Sequence, residues 1–172
     1  MGSSDEREHD MVDAQRKLVL IRHAKSAWPD DVDDFDRPLA DRGRRDAPAL
    51  GRWLRKHAAA IELVLCSPAV RARHTWELAG PEIPAEPVLK HDHRIYAASA
   101  RELLSVVHEI PPAVMTAAMI GHNPGLEDLI NLLTGEPAVL KTASVAVLST
   151  PAPWPDLGED RATAVEFAKP RG

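Results

Sequence analysis

Leu18-Val19-Leu20-Ile21 is a continuous apolar run. A strand that is apolar at every position belongs in a sheet covered on both faces, the arrangement typical of parallel strands. Leu63-Val64-Leu65-Cys66 is a second such run, and Val114 to Ile120 contains a third. Ser144 to Leu148 and Thr163 to Phe167 are later strand candidates, with Val88-Leu89 as a short one. Between most of these runs lie helical patterns, and strands alternating with helices predict an α/β domain with a largely parallel sheet. The last two strands have no helix between them, so a partly antiparallel, mixed sheet is expected. Helices on both faces make it a three-layer sandwich.

The helices carry their own punctuation. Leu50, Trp53, Leu54 and His57 follow the i, i+3, i+4, i+7 spacing of a buried face. Pro48 either kinks a helix begun near Asp41 or forces a start near Asp46. Ser67-Pro68 reads as a cap followed by proline at the first helical position, and Gly80-Pro81 as the stop. Ser99 and Glu102 fit a capping box, ahead of an apolar face of Leu103, Leu104, Val107 and Ile110. Asn123-Pro124 opens a last helix, with Leu126, Leu129, Ile130 and Leu133 on one side and Gly135 past its end. In the segment 151–160 three prolines argue against regular structure.

The chain has 172 residues, 44% of them hydrophobic and 27% charged, which fits one globular domain over 16–172 and excludes a mostly disordered chain. Residues 1–15 are polar and lack an apolar period, and read as a mobile leader. A net charge of -5 gives no general attraction to nucleic acid or an anionic membrane. No apolar run is long enough for a membrane span, and no signal-peptide pattern is present. The single cysteine, Cys66, excludes an internal disulfide and a multi-cysteine zinc site. The expected compartment is the cytoplasm and the expected state a monomer.

Three of the strand runs end in chemistry. The first leads into Arg22-His23-Ala24-Lys25-Ser26, the second into Ser67-Pro68-Ala69-Val70-Arg71, and the run through Ile120 into Gly121-His122-Asn123-Pro124-Gly125. If these strands are parallel neighbours, Arg22, His23, Arg71 and His122 gather at one sheet edge, where ligands of open α/β sheets bind. Two arginines and two histidines make a cationic pocket, and the arginine fork suits phosphate oxygens. Two helix starts beside it favour an anion as well. The chemistry suggested is phosphoryl transfer with a histidine nucleophile.

Leu20-Ile21-Arg22-His23-Ala24 resembles the Arg-His-Gly signature of the histidine phosphatase superfamily, which includes the phosphoglycerate mutases, with alanine in place of glycine. Ser67-Pro68-Ala69-Val70-Arg71-Ala72-Arg73-His74-Thr75 resembles its Ser-Pro-x-x-Arg-Ala-x-x-Thr segment, and Gly121-His122-Asn123 its second histidine segment. Asp36-Arg37-Pro38-Leu39 with Gly43, His-Asn-Pro-Gly and the small size look like the SixA branch, the phosphohistidine phosphatases. The resemblance implies the phosphoglycerate mutase-like fold and a role for each matching residue. His23 would attack phosphorus, Arg22 and Arg71 would clamp its oxygens, and His122 would donate a hydrogen bond to them. Water would then release inorganic phosphate, with no metal and no cofactor. For His23 to attack as a neutral ring, its other nitrogen needs a hydrogen bond that fixes the tautomer.

Other residues carry two readings each. Arg37 either reaches the pocket or forms a structural salt bridge. Lys25 and Ser26, which follow His23, and Asn123, which follows the second histidine, are expected to bind phosphate or line the pocket rim. Trp28 is either an apolar wall or a loop anchor. The aspartate-rich run Asp30 to Asp36 reads as a solvated loop, and Cys66 as buried rather than reactive. The mutases and many acid phosphatases of the superfamily carry a glutamate acid in a segment like Glu-Arg-x-Tyr-Gly. Here His93-Arg94-Ile95-Tyr96-Ala97 stands in its place, with Asp92 the adjacent carboxyl group. Either His93 or Asp92 serves as an acid at the rim, or neither does. Loss of a well-placed acid slows phosphomonoester hydrolysis by roughly 10²–10⁴-fold. It matters less for a phosphoramidate, whose imidazole departs already protonated. The expected substrate is thus phosphohistidine on a protein. The alternatives are a small phosphomonoester, or a phosphate-binding adaptor without turnover.

Overall fold

The structure, a computed structural model, describes residues 15–172. The leader expected over residues 1–15 lies outside the described residues except for Gln15, whose side-chain carbonyl accepts a hydrogen bond from the Ser149 hydroxyl. Among the described residues six strands form one sheet: β1 (Arg16–Arg22), β2 (Leu63–Cys66), β3 (Val88–His91), β4 (Thr116–Gly121), β5 (Val145–Thr150) and β6 (Thr163–Ala168). Their order is β3-β2-β4-β1-β5-β6. Strands β1 to β4 pair in parallel, β5 pairs antiparallel with β1, and β6 antiparallel with β5. The sheet is mixed and mostly parallel, with β5 the reversed strand.

Four α-helices among the described residues cover it: α1 (Asp41–His57), α2 (Val70–Ala79), α3 (Ala100–His108) and α4 (Gly125–Thr134). Successive strand residues point to opposite faces, and the two cores divide accordingly. Val19, Ile21, Val64 and Ile120 pack with Leu50 and Leu54 of α1 and Trp76 of α2. Leu18, Leu20, Leu65 and Met119 pack with Leu103 and Val107 of α3 and Leu126 and Leu129 of α4. Each such side chain fully removed from water contributes about 1.5–3 kcal/mol. The continuous apolar runs are therefore the middle layer of an α/β three-layer sandwich. No helix among the described residues is long and apolar enough to cross a membrane.

Local signals succeed where they concern backbone groups near in sequence. Ser99 Oγ accepts from the Glu102 N–H, and Glu102 Oε1 accepts from the Ser99 N–H, which completes the capping box of α3. Gly135 ends α4 at φ 76°, a left-handed cap suited to glycine. Of the two openings for α1 the structure has the one at Asp41, and the helix runs through Pro48. Two expected caps are corrected. Helix α2 starts at Val70 after Ala69, not at Pro68; the Ser67 hydroxyl accepts from the Ala69 N–H ahead of the helix. Helix α4 starts at Gly125 after Pro124, and the Asn123 amide donates to the Leu140 carbonyl at 2.8 Å instead of capping. The proline-rich segment 151–160 holds one short 3-10 turn, Trp154–Asp156. Pro155 fits that turn because its missing N–H falls where none is required, and the fully buried Trp154 donates Nε1–H to the Val114 carbonyl.

Candidate active site

Strands β2, β4 and β1 are parallel neighbours, so their carboxyl ends lie side by side. Arg22 pairs with Gly121 and Cys66 with Ile120, which brings the following residues His23, His122 and Ser67 to one edge. The rings of His23 and His122 are 5.1 Å apart between centroids. A cavity of about 690 Å³ opens at this edge, lined in part by Arg22, His23, Arg71, Tyr96 and Asn123. Gly43 permits the close approach of α1: a Cβ there would sit 2.1 Å from the Lys25 carbonyl oxygen, just past His23.

His23 is 6% exposed, and its Nδ1 lies 2.8 Å from the Ala24 carbonyl oxygen. A carbonyl only accepts, so Nδ1 carries the ring proton and Nε2 the lone pair. Burial pushes the pKa of His23 down to about 3 against that hydrogen bond, with His122, Arg71 and Arg22 adding positive surroundings. The ring is therefore neutral at physiological pH. Ala24 occupies the position of the signature glycine. Its φ is not positive, so nothing there demands glycine. Its N–H donates to Thr75 Oγ1 at 2.9 Å, and Thr75 donates to the Arg71 carbonyl at 2.7 Å, which ties the His23 segment to α2.

His122 Nε2 lies 2.8 Å from Ser67 Oγ, which also accepts from the Ala69 N–H at 3.2 Å. Ser67 is fully buried, and its hydroxyl proton has no acceptor but His122 Nε2 among the described residues. A buried hydroxyl is seldom left unpaired, so Ser67 donates to Nε2 and His122 carries its proton on Nδ1. Burial, with Arg71 next, lowers the pKa of His122 to about 4. Sequence signals assigned Ser67 to a helix cap; its partner is visible only once β2 and β4 are paired.

The arginines are held by backbone and by one carboxylate. Arg22 donates to the Leu140 carbonyl at 3.1 Å. Arg71 donates to the Asp34 carbonyl at 2.6 Å and to Asp34 Oδ2 at 3.1 Å. Arg37 bonds Asp34 Oδ1 at 2.9 Å, and the Tyr96 hydroxyl donates to Oδ2 at 2.6 Å. The Tyr96 hydrogen bond, followed by those of Arg37 and Arg71, holds the Asp34 carboxyl well below the usual range. Asp34 is thus a structural anion of the site and not a member of a merely solvated loop. For Arg37 both readings hold: it lines the cavity and forms the salt bridge. It also donates to Ser26 Oγ and lies 3.2 Å over the Trp28 ring, which is 74% exposed. Lys25, Ser26 and Trp28 line the cavity mouth.

Asp92 and His93 depart from the expected rim. Neither lines the cavity. Both Asp92 oxygens bond Arg94, at 3.0 Å and 2.6 Å, and the side chain borders a separate cavity beside Leu63 and Lys90. His93 is exposed on a 3-10 turn, His93–Ile95, that follows β3. That turn delivers Tyr96 to the cavity and leaves the preceding residues outside. Cys66 is buried, and burial pushes its thiol up to about 12. Among the described residues no three His, Cys, Asp or Glu side chains form a metal-binding group.

Around His23 three nitrogens are buried without a partner among the described residues: Arg22 Nε, Arg71 Nε and His122 Nδ1. With His122 in the tautomer set by Ser67, all three are donors. Donors from two guanidinium groups and an imidazole, beside a neutral imidazole with a free lone pair, suit a tetrahedral oxyanion such as a phosphoryl group.

The comparisons with known proteins agree with this chemistry. The sequence model of the histidine phosphatase superfamily (branch 1) matches residues 18–94. A candidate phosphohistidine phosphatase SixA from Nakamurella multipartitia has a similar structure, with TM-score 0.80 and 31% identity over 91% of this chain and 96% of that one. Its counterpart from Agrobacterium tumefaciens has TM-score 0.78 and 25% identity over 90% and 98%. An uncharacterized protein of Mycobacterium tuberculosis is 35% identical over 88% of this chain and its own full length. The chain therefore belongs to the histidine phosphatase superfamily, as a phosphatase of the SixA-like branch.

Proposed function

We propose that the chain is a metal-independent phosphatase that forms phosphohistidine on His23 and acts on phosphohistidine carried by another protein, as a monomer in the cytoplasm. The observation that carries the first part is the His23 tautomer: a buried, neutral ring with Nδ1–H held by Ala24 and Nε2 free. Nε2 attacks phosphorus in line, forming a P–N bond as the bond to the leaving imidazole breaks. Arg22, Arg71 and His122 hold the non-bridging oxygens as charge develops. The substrate phosphohistidine reacts with its other ring nitrogen protonated, so imidazole departs neutral and keeps that proton, while His23 becomes a phosphoimidazolium with Nδ1–H still on the Ala24 carbonyl. Water then attacks phosphorus, the P–Nε2 bond breaks, and inorganic phosphate and neutral His23 are restored.

The choice of phosphohistidine over a phosphomonoester rests on the carboxylates. Two line the cavity, Asp34 and Glu102. Asp34 is held ionised by Tyr96, Arg37 and Arg71, and Glu102 is spent on the Ser99 N–H. An alkoxide leaving group needs a proton that neither is set to give, whereas a phosphohistidine already protonated on its other ring nitrogen releases neutral imidazole without one.

The test is a trapping experiment. The protein is incubated with phosphoramidate or a phosphohistidine peptide, quenched in alkali and examined by mass spectrometry beside His23→Ala. The expected result is an acid-labile phosphate on His23, absent in the variant. Turnover of the phosphoramidate should exceed that of a sugar phosphate by at least roughly 10²-fold. Preference for the sugar phosphate would reverse the substrate reading. Binding of phosphate with no adduct and no turnover would make the site an adaptor.

A further inference from the structure

Beside the His23 cavity lies a second one, of about 400 Å³, lined by Arg22, Lys25, Arg42, Lys141, Lys169 and Arg171 with Thr142. It shares Arg22, Lys25 and Thr142 with the first, so the two adjoin. Six basic side chains converge here in a chain whose net charge is -5. They come from the end of β1, the start of α1, the segment before β5 and the segment after β6.

The convergence is built. Asp46, 1% exposed, fastens the pieces from below. Its Oδ2 lies 3.4 Å from Arg42 Nε and 3.9 Å from Arg171, and its Oδ1 accepts from the Gly172 N–H at 3.1 Å. One buried carboxylate thus draws the tail carrying Lys169 and Arg171 against α1, and offsets two of the six cations. Lys25, Lys141 and Lys169 have no ion-pair partner within 4.0 Å among the described residues. A concave patch of one sign focuses the field and draws anions to it.

We propose that this cavity is a second anion site, which receives acidic side chains flanking the phosphohistidine of the protein substrate. The substrate half of this statement rests on the proposed function; the anion site itself does not. Carboxylates fit because they bring charge without needing the bond-breaking cage. With His23 set at the inner cavity and the cations at its flank, an acidic neighbourhood of the phosphohistidine is the part of a substrate that this patch selects. Neutral or basic neighbourhoods leave the lysines and arginines unmatched.

The test uses the double variant Lys141→Ala/Lys169→Ala, which leaves the His23 cage intact. In a ¹⁵N chemical-shift titration with inorganic phosphate, the wild type should show two sets of shifts that saturate separately. One set lies at residues 22–24 and 121–123, the other at 141–144 and 169–171; the variant should lose only the second. A single set in the wild type would overturn the anion site. In turnover, a phosphohistidine peptide flanked by glutamates should be preferred over its glutamine counterpart by about tenfold at low salt. The preference should vanish in the variant, and phosphoramidate turnover should stay unchanged. An equal preference in both proteins would overturn the assignment to acidic flanks. If no phosphohistidine peptide is turned over while the second set of shifts responds as stated, the anion site stands and the proposed substrate falls. Greater discrimination for a small substrate bearing two phosphates would transfer the site to that chemistry and overturn the protein substrate.

Discussion

The inner edge of the sheet and the outer rim of the cavity are built on different principles. At the inner edge His23 and Arg71 are nearly buried, and His23 and His122 are each pinned by a hydrogen bond from the segment just after a strand. Around His23 these groups leave spare donors. At the rim Trp28 is largely exposed, and Ser26, Arg37, Asp34 and Tyr96 are occupied with one another across two loops. The first region has fixed geometry and unspent valence, which chemistry requires. The second has spent its valence on holding its own loops and, through Asp34, the Arg71 guanidinium. Substitutions at the inner edge should therefore change turnover of every phosphoryl donor, and substitutions at the rim should change stability or choice of substrate.

The sharpest contrast within the inner edge is between His122 and the serine behind it. On the proposed mechanism His122→Ala removes a donor to the phosphoryl oxygens and should lower kcat by about 10²–10³-fold. Ser67→Ala keeps the imidazole and loses only the hydroxyl that holds Nε2. One hydrogen bond of this kind is worth about 0.5–1.5 kcal/mol, so kcat should fall up to about tenfold. A purely structural role for Ser67 would stop there. A positioning role predicts more: with Nε2 released, His122 protonates more readily, and the acid limb of the pH–rate profile should move toward neutral pH. A profile unchanged in Ser67→Ala would break the assignment of the tautomer.

Acid separates the two regions next. A histidine ring titrates near 6.5 in an unfolded chain, whereas His23 and His122 are lowered to about 3 and about 4 in the folded one. Between these values the unfolded state binds more protons, so the rings' contribution to stability is present above pH 6.5 and is lost as pH falls. The loss reaches at most about 1.4 kcal/mol per ring for each pH unit. Chemical denaturation at pH 7 and pH 5 should show wild type losing more stability than His23→Ala. Equal losses would mean that the His23 ring is not kept neutral by its burial. Over the same range neither ring should impose an acid limb on kcat/KM.

The inner edge was legible in the sequence, and the rim was not. Arg22, His23 and His122 stand directly after apolar runs, where the period of the pattern marks a strand end, and parallel pairing then brings them together. Ser67 abuts the same kind of run but carries a familiar helix-start signal, and only the pairing of β2 with β4 reveals His122 as its partner. Asp34 lies among other aspartates in a loop without period, so nothing local distinguishes the one that meets Arg71, Arg37 and Tyr96. Asp92 and His93 were placed at the rim by resemblance to a glutamate segment. The 3-10 turn that follows β3 sends Tyr96 inward instead. The second cationic cavity draws on residues as far apart as Arg22 and Arg171, a juxtaposition that exists only in the folded sheet.

Ala97 offers the smallest and cleanest test of the rim. It follows Tyr96, lines the cavity and adopts φ 53°, the left-handed region in which a Cβ crowds the neighbouring carbonyl. The resembling segment has glycine at this position, and the structure supplies the reason. Ala97→Gly relieves a conformational cost of about 1–2 kcal/mol but gives the unfolded chain more freedom, so the net gain should be about 1 kcal/mol or less. Urea denaturation should show a higher midpoint with an unchanged slope. Because Ala97 contributes no polar side-chain atom to the cage, kcat on phosphoramidate should not move. A change in kcat as large as that of Ser67→Ala would mean that the strained turn holds Tyr96, and through Asp34 the Arg71 guanidinium, in a position the chemistry needs; the rim would then belong to the inner edge in function.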